Sequence, residues 1–168
     1  MPAVLMAGLP GSGKTTLAQA LASHLKGHVL NKDQIRLAIF GPNQVAYSTA
    51  QDDLIQSFKL DAAHSLWATH SKLWIVFDGR TYSRSYQRAQ VREKIPNLKI
   101  ILCTASESSI RTRLLDPHPA ANRDWALYLK VRESFEPVIE PHCVINTDQA
   151  PSLSLKQALT YLTTAAST

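Results

Sequence analysis

Five short apolar runs divide the chain, and they predict five β-strands. Their residues follow one another without alternating polar positions, which is the pattern of strands buried on both faces. Such strands are typical of a parallel sheet that is covered by helices. The predicted strands lie at residues 3–7, 29–30, 73–77, 99–103 and 143–145.

The stretches between these runs place apolar residues at helical spacing. In the first stretch, Leu17, Leu21 and Leu25 lie four residues apart. Alternating strands and helices predict an α/β fold, a three-layer sandwich with a central, mostly parallel five-stranded sheet. No low-complexity linker interrupts the pattern, so we expect residues 1–168 to form a single domain. The predicted helices span residues 15–25, 48–69, 83–95, 107–115, 124–135 and 152–164.

Composition excludes several other classes of protein. The chain has 168 residues, of which 45% are hydrophobic and 18% charged, unlike disordered, collagen-like or coiled-coil sequences. Its two cysteines argue against a disulfide scaffold. No apolar stretch approaches the ~20 residues of a membrane span, so we expect a cytoplasmic protein with no membrane partner. The net charge of +5 permits an anionic partner without identifying one.

A glycine-rich segment joins the first predicted strand to the first predicted helix. It fits the pattern G-x-x-x-x-G-K-[ST], a phosphate-binding loop (P-loop) in its expected context. Its glycines let backbone N–H groups curl around a phosphate. Lys14 is predicted to reach the β- and γ-phosphates of ATP, and Thr15 to coordinate Mg²⁺. The predicted nucleotide contacts are Gly8, Pro10, Gly11, Ser12, Gly13, Lys14, Thr15 and Thr16.

Asp33 and Arg36 follow the second predicted strand. Ligands of parallel α/β folds bind beyond the carboxyl ends of the strands, and residues three apart share one face of a helix. Asp33 can therefore take the proton from an attacking hydroxyl, while Arg36 holds an anionic acceptor group. Spacing alone equally allows Asp33 to be a helix N-cap and Arg36 its solvated partner.

Asp78 ends the third predicted strand. A carboxylate at this position can hold Mg²⁺ through water, as a Walker-B aspartate does. The alternative is a side chain that caps the following turn. Thr15 and Asp78 are therefore the predicted metal-binding residues.

These segments resemble the polynucleotide-kinase-like group of P-loop kinases, which includes the zeta-toxin-like kinases. Residues 31–36, Asn-Lys-Asp-Gln-Ile-Arg, resemble its N-x-D-x-x-R element, and residues 78–81, Asp-Gly-Arg-Thr, its D-[AG]-x-[TN] segment. The second half of the chain matches the group only in layout. The resemblance implies a P-loop NTPase fold of the nucleotide-kinase type, with Asp33 as general base and Arg36 positioning the acceptor.

Kinases of this layout also imply a mobile lid, here at about residues 112–125. Lid arginines close over the transferring phosphoryl group and stabilise its charge. Arg113 and Arg123 are the candidates, although the group's lid arginine would fall slightly beyond Arg113, at Asp116 and Pro117. The predicted catalytic residues are thus Lys14, Asp33, Arg36, Arg113 and Arg123.

Four more arginines form a basic stripe. Arg84, Arg88 and Arg92 recur every four residues on one predicted helix, and Arg80 precedes it. A stripe of this kind can bind a phosphate-bearing acceptor or nucleic acid, but it is more often a solvated face. We predict a solvated face for Arg88 and Arg92, and keep Arg80 and Arg84 as candidate substrate contacts.

The predicted function is transfer of the γ-phosphoryl group of ATP to a hydroxyl. The acceptor stays open between a polynucleotide 5′-hydroxyl, a nucleoside or nucleotide, and a small metabolite. Two other functions would keep the P-loop without needing Asp33 or Arg36: a non-catalytic ATP-binding regulatory module and a simple ATPase.

Overall fold

Strands and helices alternate in the computed structural model, which describes residues 1–117 and 123–164. The strands are β1 (Ala3–Ala7), β2 (His28–Asn31), β3 (Ile75–Asp78), β4 (Lys99–Thr104) and β5 (His142–Asn146). The helices are α1 (Lys14–Leu25), α2 (Lys32–Phe40), α3 (Thr49–Thr69), α4 (Ser85–Lys94), α5 (Glu107–Arg113), α6 (Trp125–Glu133) and α7 (Pro151–Thr164).

The strands form one sheet in the order β2-β3-β1-β4-β5, and every neighbouring pair is parallel. Leu5 in the central strand lies opposite Phe77 on one side and Ile100 on the other. The predicted α/β fold with a five-stranded parallel sheet is confirmed. Because the strands share one direction, the segments that follow β1, β2 and β3 meet at the same edge of the sheet.

Helices on both faces of the sheet explain the unbroken apolar runs. Alternate residues of β1 enter two cores: Leu5 belongs to the core that includes Trp67 of α3, and Met6 to the core that includes Leu21 of α1. All of β1 is buried as a result. Within residues 1–117 and 123–164, no helix combines the length and apolar character that a bilayer crossing requires; the cytoplasmic location stays a prediction.

Helix α2 has an inverted pattern of burial. Leu37 and Ile39 are 43% and 45% exposed, whereas Arg36 is buried. The helix is started by Asn31, whose Oδ1 accepts hydrogen bonds from two backbone N–H groups of the first turn, at 3.0 and 3.1 Å. The alternative in which Asp33 is the N-cap and Arg36 its solvated partner is therefore wrong.

In helix α4, Arg88 is completely buried. The prediction that Arg88 lies on a solvated face is therefore wrong. Its guanidinium donates to the carboxylate of Glu140 and to the backbone carbonyls of Tyr82 and Pro137, at distances of 2.8 to 3.1 Å. These acceptors include the segment before β5, which folds over this face of α4. The spacing of arginines along one helix carries no information about such a long-range contact.

Candidate active site

A cavity of about 720 Å³ opens at the carboxyl edge of the sheet. Its walls come from the P-loop, from α2 and the start of α3, from the segment after β3, and from the ends of α5 and α6. A second groove, between α1 and α7, contains none of the predicted site residues. Gly8, Ser12, Arg36 and Asp78 are buried without lining the larger cavity. The predicted residues in its wall are Pro10, Gly11, Gly13, Lys14, Thr15, Thr16, Asp33, Arg113 and Arg123.

The P-loop holds the Lys14 side chain against its own backbone. The Lys14 Nζ donates to the carbonyls of Gly8 and Leu9, at 2.9 and 2.7 Å, and burial lowers the pKa of this amine.

Gly13 has a φ of +78°, and a Cβ there would lie 2.9 Å from the Thr147 side chain. Because α1 begins at the next residue, the unpaired N–H groups of its first turn lie beside the cavity. Such a loop can bind a phosphate through backbone donors and the ammonium.

Asn31 and Asp78 end neighbouring strands and bond to each other. The Asn31 Nδ2 donates to Asp78 Oδ2 at 2.7 Å. Asp78 is completely buried, and its Oδ1 has no hydrogen-bond partner among the described residues. A buried carboxylate oxygen of this kind suits a hydrated cation, and Thr15 offers a hydroxyl in the cavity wall. This donor set fits Mg²⁺, which completes its coordination with water and phosphate oxygens.

Four charged residues of α2 and α3 form a closed ring of ion pairs. The Arg36 guanidinium bonds to Asp33 Oδ1 at 3.1 Å and also to Asp52. The Lys32 Nζ closes the ring, 3.1 Å from Asp52 and 3.7 Å from Asp33. Asp33 and Asp52 line the cavity, whereas Arg36 is only 2% exposed. The ring therefore fixes Asp33 in the wall with Arg36 behind it.

Arg80 lies in the cavity wall next to this ring. Its Nη2 donates to Asp53 Oδ1 at 2.7 Å and to the Tyr86 hydroxyl at 3.4 Å. Gly79 has a φ of +84°, and a Cβ there would lie 2.6 Å from the backbone nitrogen of Lys32, so the segment approaches α2 at a residue that must be glycine. We call the following three cations and three anions the ionic cluster: Lys32, Arg36, Arg80, Asp33, Asp52 and Asp53.

Two lysines, one in the ionic cluster and one close to it, have shifted pKa values. Burial lowers the pKa of Lys32 to about 8. Lys59 lies deeper, with Nζ donating to the backbone carbonyl of Asp78 at 2.8 Å and to the Tyr82 hydroxyl at 3.1 Å. Complete burial lowers its pKa to about 7. The Tyr82 hydroxyl in turn donates to Gln56, so this network fastens the segment after β3 to α3.

Arg113 and Arg123 line the cavity beside the P-loop. Arg113 donates from Nη1 to Thr147 Oγ1 and from Nη2 to the Thr147 carbonyl, both at 2.9 Å. Arg123 donates to the carbonyl of Arg113 at 3.0 Å. Both guanidiniums are therefore held at the P-loop end of the cavity, although the central part of the predicted lid, residues 118–122, lies outside the described residues.

The sequence motifs do not single out Lys32, Asp52 or Lys59 as site residues. A sequence signal for Lys59 does exist, because this residue occupies the inward stripe of α3 between the buried residues Ile55 and Ala63. No sequence signal distinguishes Asp52, since an acidic residue in the first turn of a helix is common. Its role depends on a partner 16 residues away.

The fold and this cavity define a P-loop protein of the kinase-like class, with a phosphate-binding loop after the central strand and an aspartate at the end of the neighbouring strand. The chain belongs to the family described as "AAA domain", whose sequence profile matches residues 4–124. That match includes the P-loop and the whole ionic cluster. No curated protein sequence matches the chain.

Solved kinase structures share this fold over nearly their whole length. A sugar kinase from Janibacter sp. HTCC2649 has a TM-score of 0.75 at 18% identity, covering 97% of this chain and 95% of that one. A gluconokinase from Sinorhizobium meliloti 1021 has a TM-score of 0.68 at 18% identity, covering 96% and 91%. The APS kinase CysC of Mycobacterium tuberculosis, in complex with AMPPNP and APS, has a TM-score of 0.68 at 16% identity, covering 96% and 97%. The predicted P-loop kinase-like fold is confirmed.

Proposed function

We propose that this protein is an ATP- and Mg²⁺-dependent kinase that transfers the γ-phosphoryl group to a hydroxyl of a small molecule. The observation that supports this function is the position of Asp33, whose carboxylate lines the same cavity as Lys14 and Thr15. A phosphate-binding loop and an oriented carboxylate in one cavity suit phosphoryl transfer to a hydroxyl. The printed names of the similar structures, a sugar kinase, a gluconokinase and an APS kinase, support the same reaction class.

At the nucleotide end, backbone N–H groups of the P-loop and the Lys14 ammonium bind the β- and γ-phosphates. Thr15 and Asp78 would hold Mg²⁺, which supplies neutralisation of phosphate charge when bound. Arg113 and Arg123 stabilise the charge that develops on the transferring group. We further propose that residues 112–125 act as a lid whose closure excludes water.

At the other end, Asp33 accepts the proton of the acceptor hydroxyl as its oxygen attacks the γ-phosphorus. The bond between the γ-phosphorus and the β,γ-bridging oxygen breaks, and ADP leaves. Arg36 was predicted to hold the acceptor, but it does not line the cavity. We propose instead that it positions Asp33, because its two terminal nitrogens are bound to Asp33 and Asp52. The base is therefore held by a pre-formed ring and needs no rearrangement before attack.

The ionic cluster favours a small acceptor over a polynucleotide. Its three cations are matched by three aspartates, so the cluster itself has no net formal charge. Proteins that bind nucleic acids depend on lysines and arginines that are free to neutralise phosphates. A simple ATPase or a non-catalytic ATP-binding module would not need an oriented carboxylate at this end of the cavity.

The variant Asp33→Asn tests the assignment, because it keeps the size of the side chain and removes the base. The acceptor is first sought by following labelled γ-phosphate from ATP to a panel of sugars, sugar acids, nucleosides and oligonucleotides. We expect Asp33→Asn to lower kcat about 10²- to 10⁴-fold, with unchanged binding of a non-hydrolysable ATP analogue.

The matched control is Gln34→Ala, an exposed position on the same helix, which should retain full transfer. Full transfer by Asp33→Asn would overturn the base assignment. Phosphate release at one rate with and without every acceptor would instead identify an ATPase.

A further inference from the structure

Arg80 is a buried arginine whose hydrogen bonding is incomplete. It is 3% exposed, and its Nη2 bonds to Asp53 and Tyr86. The other two guanidinium nitrogens, Nε and Nη1, are buried with no partner among the described residues. Unpaired donors of a buried charged group are costly, because they have lost water without gaining an acceptor.

Arg88 shows what a structural arginine looks like in the same protein. It is equally buried, but all three of its guanidinium nitrogens donate, to Glu140, Tyr82 and Pro137. Arg88 does not line the cavity, whereas Arg80 does. Arg36, which is also buried, leaves only its Nε unpaired and does not line the cavity. Arg80 leaves two nitrogens unpaired, and it does so in the wall of the cavity where a ligand would bind.

The neighbours of Arg80 place it at the acceptor end of the cavity. Its ion-pair partner Asp53 is adjacent in sequence to Asp52, which belongs to the ring that holds Asp33. The wall beside it also contains Tyr86 and Gln87. A molecule whose hydroxyl meets Asp33 would thus extend along a wall that ends in an unsatisfied guanidinium.

We infer that Arg80 binds an oxyanion of the acceptor, so that the acceptor is a small hydroxyl compound carrying a carboxylate or a phosphate group. Either group supplies the oxygen acceptors that a guanidinium lacks here, through charge-assisted hydrogen bonds. When no acceptor is bound, the Asp53 carboxylate neutralises the buried charge of Arg80. This inference rests on the proposed function, because it assigns the remote end of the same acceptor.

Binding to the wild-type protein gives the first test. The protein is saturated with a non-hydrolysable ATP analogue and Mg²⁺, which blocks the P-loop as a competing anion site. Titration calorimetry then compares aldonates of three to six carbons, the alditols of equal length and their terminal phosphate esters. We expect one acid or one phosphate ester to bind at least about tenfold more tightly than its alditol. Equal binding of the members of each set, or binding of none, overturns the inference.

The variants Arg80→Met and Arg80→Lys give the second test. We expect Arg80→Met to weaken binding of the preferred anion by about ten- to a hundredfold and to leave its alditol unaffected, with Arg80→Lys between Arg80→Met and wild type. Arg92→Met, which removes the same charge outside the cavity, should bind the anion normally. An unchanged affinity in Arg80→Met overturns the inference. If Arg80→Met does not bind the ATP analogue and is misfolded, Arg80→Lys and the wild-type comparison decide.

The outcome separates this inference from the proposed function. Anion binding that depends on Arg80, without transfer of labelled phosphate to any hydroxyl, supports the oxyanion site and overturns the kinase. Transfer to an alditol with the same KM in wild type and Arg80→Met supports the kinase and overturns the oxyanion site. If the preferred acid is the true acceptor, Arg80→Met should raise its KM more than it lowers kcat.

Discussion

The two ends of the cavity are built in different ways. The nucleotide end is one continuous segment, residues 8–16, which offers backbone donors and the Lys14 ammonium. The proposed acceptor end is the ionic cluster, whose side chains come from α2, α3 and the segment after β3 and are already paired with one another. Backbone donors suit any polyphosphate, whereas pre-paired side chains select by charge and geometry. We therefore expect the P-loop to bind the nucleotide phosphates whatever the acceptor is, and the ionic cluster to select the acceptor.

The sharpest test of the nucleotide end is Lys14→Met. In the proposed function the Lys14 ammonium stays with the phosphates throughout transfer, so its loss should reduce kcat/KM for ATP by about 10³-fold with every acceptor. Steady-state kinetics with several acceptors measure this. Lys26→Met, an exposed lysine just after α1, is the control. A loss confined to one acceptor would contradict the division between a general and a selective end.

Asn31→Ala tests the junction between the two ends, because Asn31 both caps α2 and orients Asp78. We expect the apparent Mg²⁺ affinity to fall about ten- to a hundredfold and the free energy of unfolding to fall by about 1 kcal/mol. Ser48→Ala, which removes the cap of α3, should cost similar stability and leave Mg²⁺ dependence unchanged. Equal Mg²⁺ dependence in both variants would show that Asn31 is merely a cap.

Asp52→Asn tests whether the ring positions the base. Without the carboxylate, Arg36 and Lys32 lose a shared partner, and Asp33 should be held less firmly. We expect kcat to fall about tenfold, while KM for ATP stays constant. Asp61→Asn, an exposed position of α3, provides the control. A change in KM for ATP would place Asp52 at the nucleotide end instead.

Lys59→Met has the smallest expected effect on activity, and its main effect is on stability. The folded protein lowers the pKa of Lys59 from 10.5 to about 7 through burial. Between pH 7 and 10.5 the unfolded chain holds more protons at this residue, so the free energy of unfolding rises with pH, by up to about 1.4 kcal/mol per pH unit. Urea denaturation at pH 7, 8 and 9 should show this rise in wild type and a flatter profile in Lys59→Met. Parallel profiles would mean that Lys59 is protonated when buried.

The sequence by itself determined the sheet and the nucleotide end. The apolar runs predict the five strands because helices cover both faces of the sheet, a condition that leaves no polar alternation. The P-loop is predictable because residues 8–16 act as neighbours in sequence and in space. Asp33 and Asp78 could be predicted as candidates for a related reason: each lies at or just after the end of a strand, and the carboxyl ends of parallel strands share one edge.

Only the tertiary structure decided how the acceptor end is assembled. Arg80 and Arg88 belong to the same basic stripe in the sequence, but their surroundings differ. Arg80 pairs with Asp53 and lines the cavity, whereas Arg88 pairs with Glu140, 52 residues away. Arg36 is buried because Asp52 of another helix neutralises it. The charge and solvation of a side chain depend on partners that the fold brings together, and helical or strand periodicity reports only on a residue's own element.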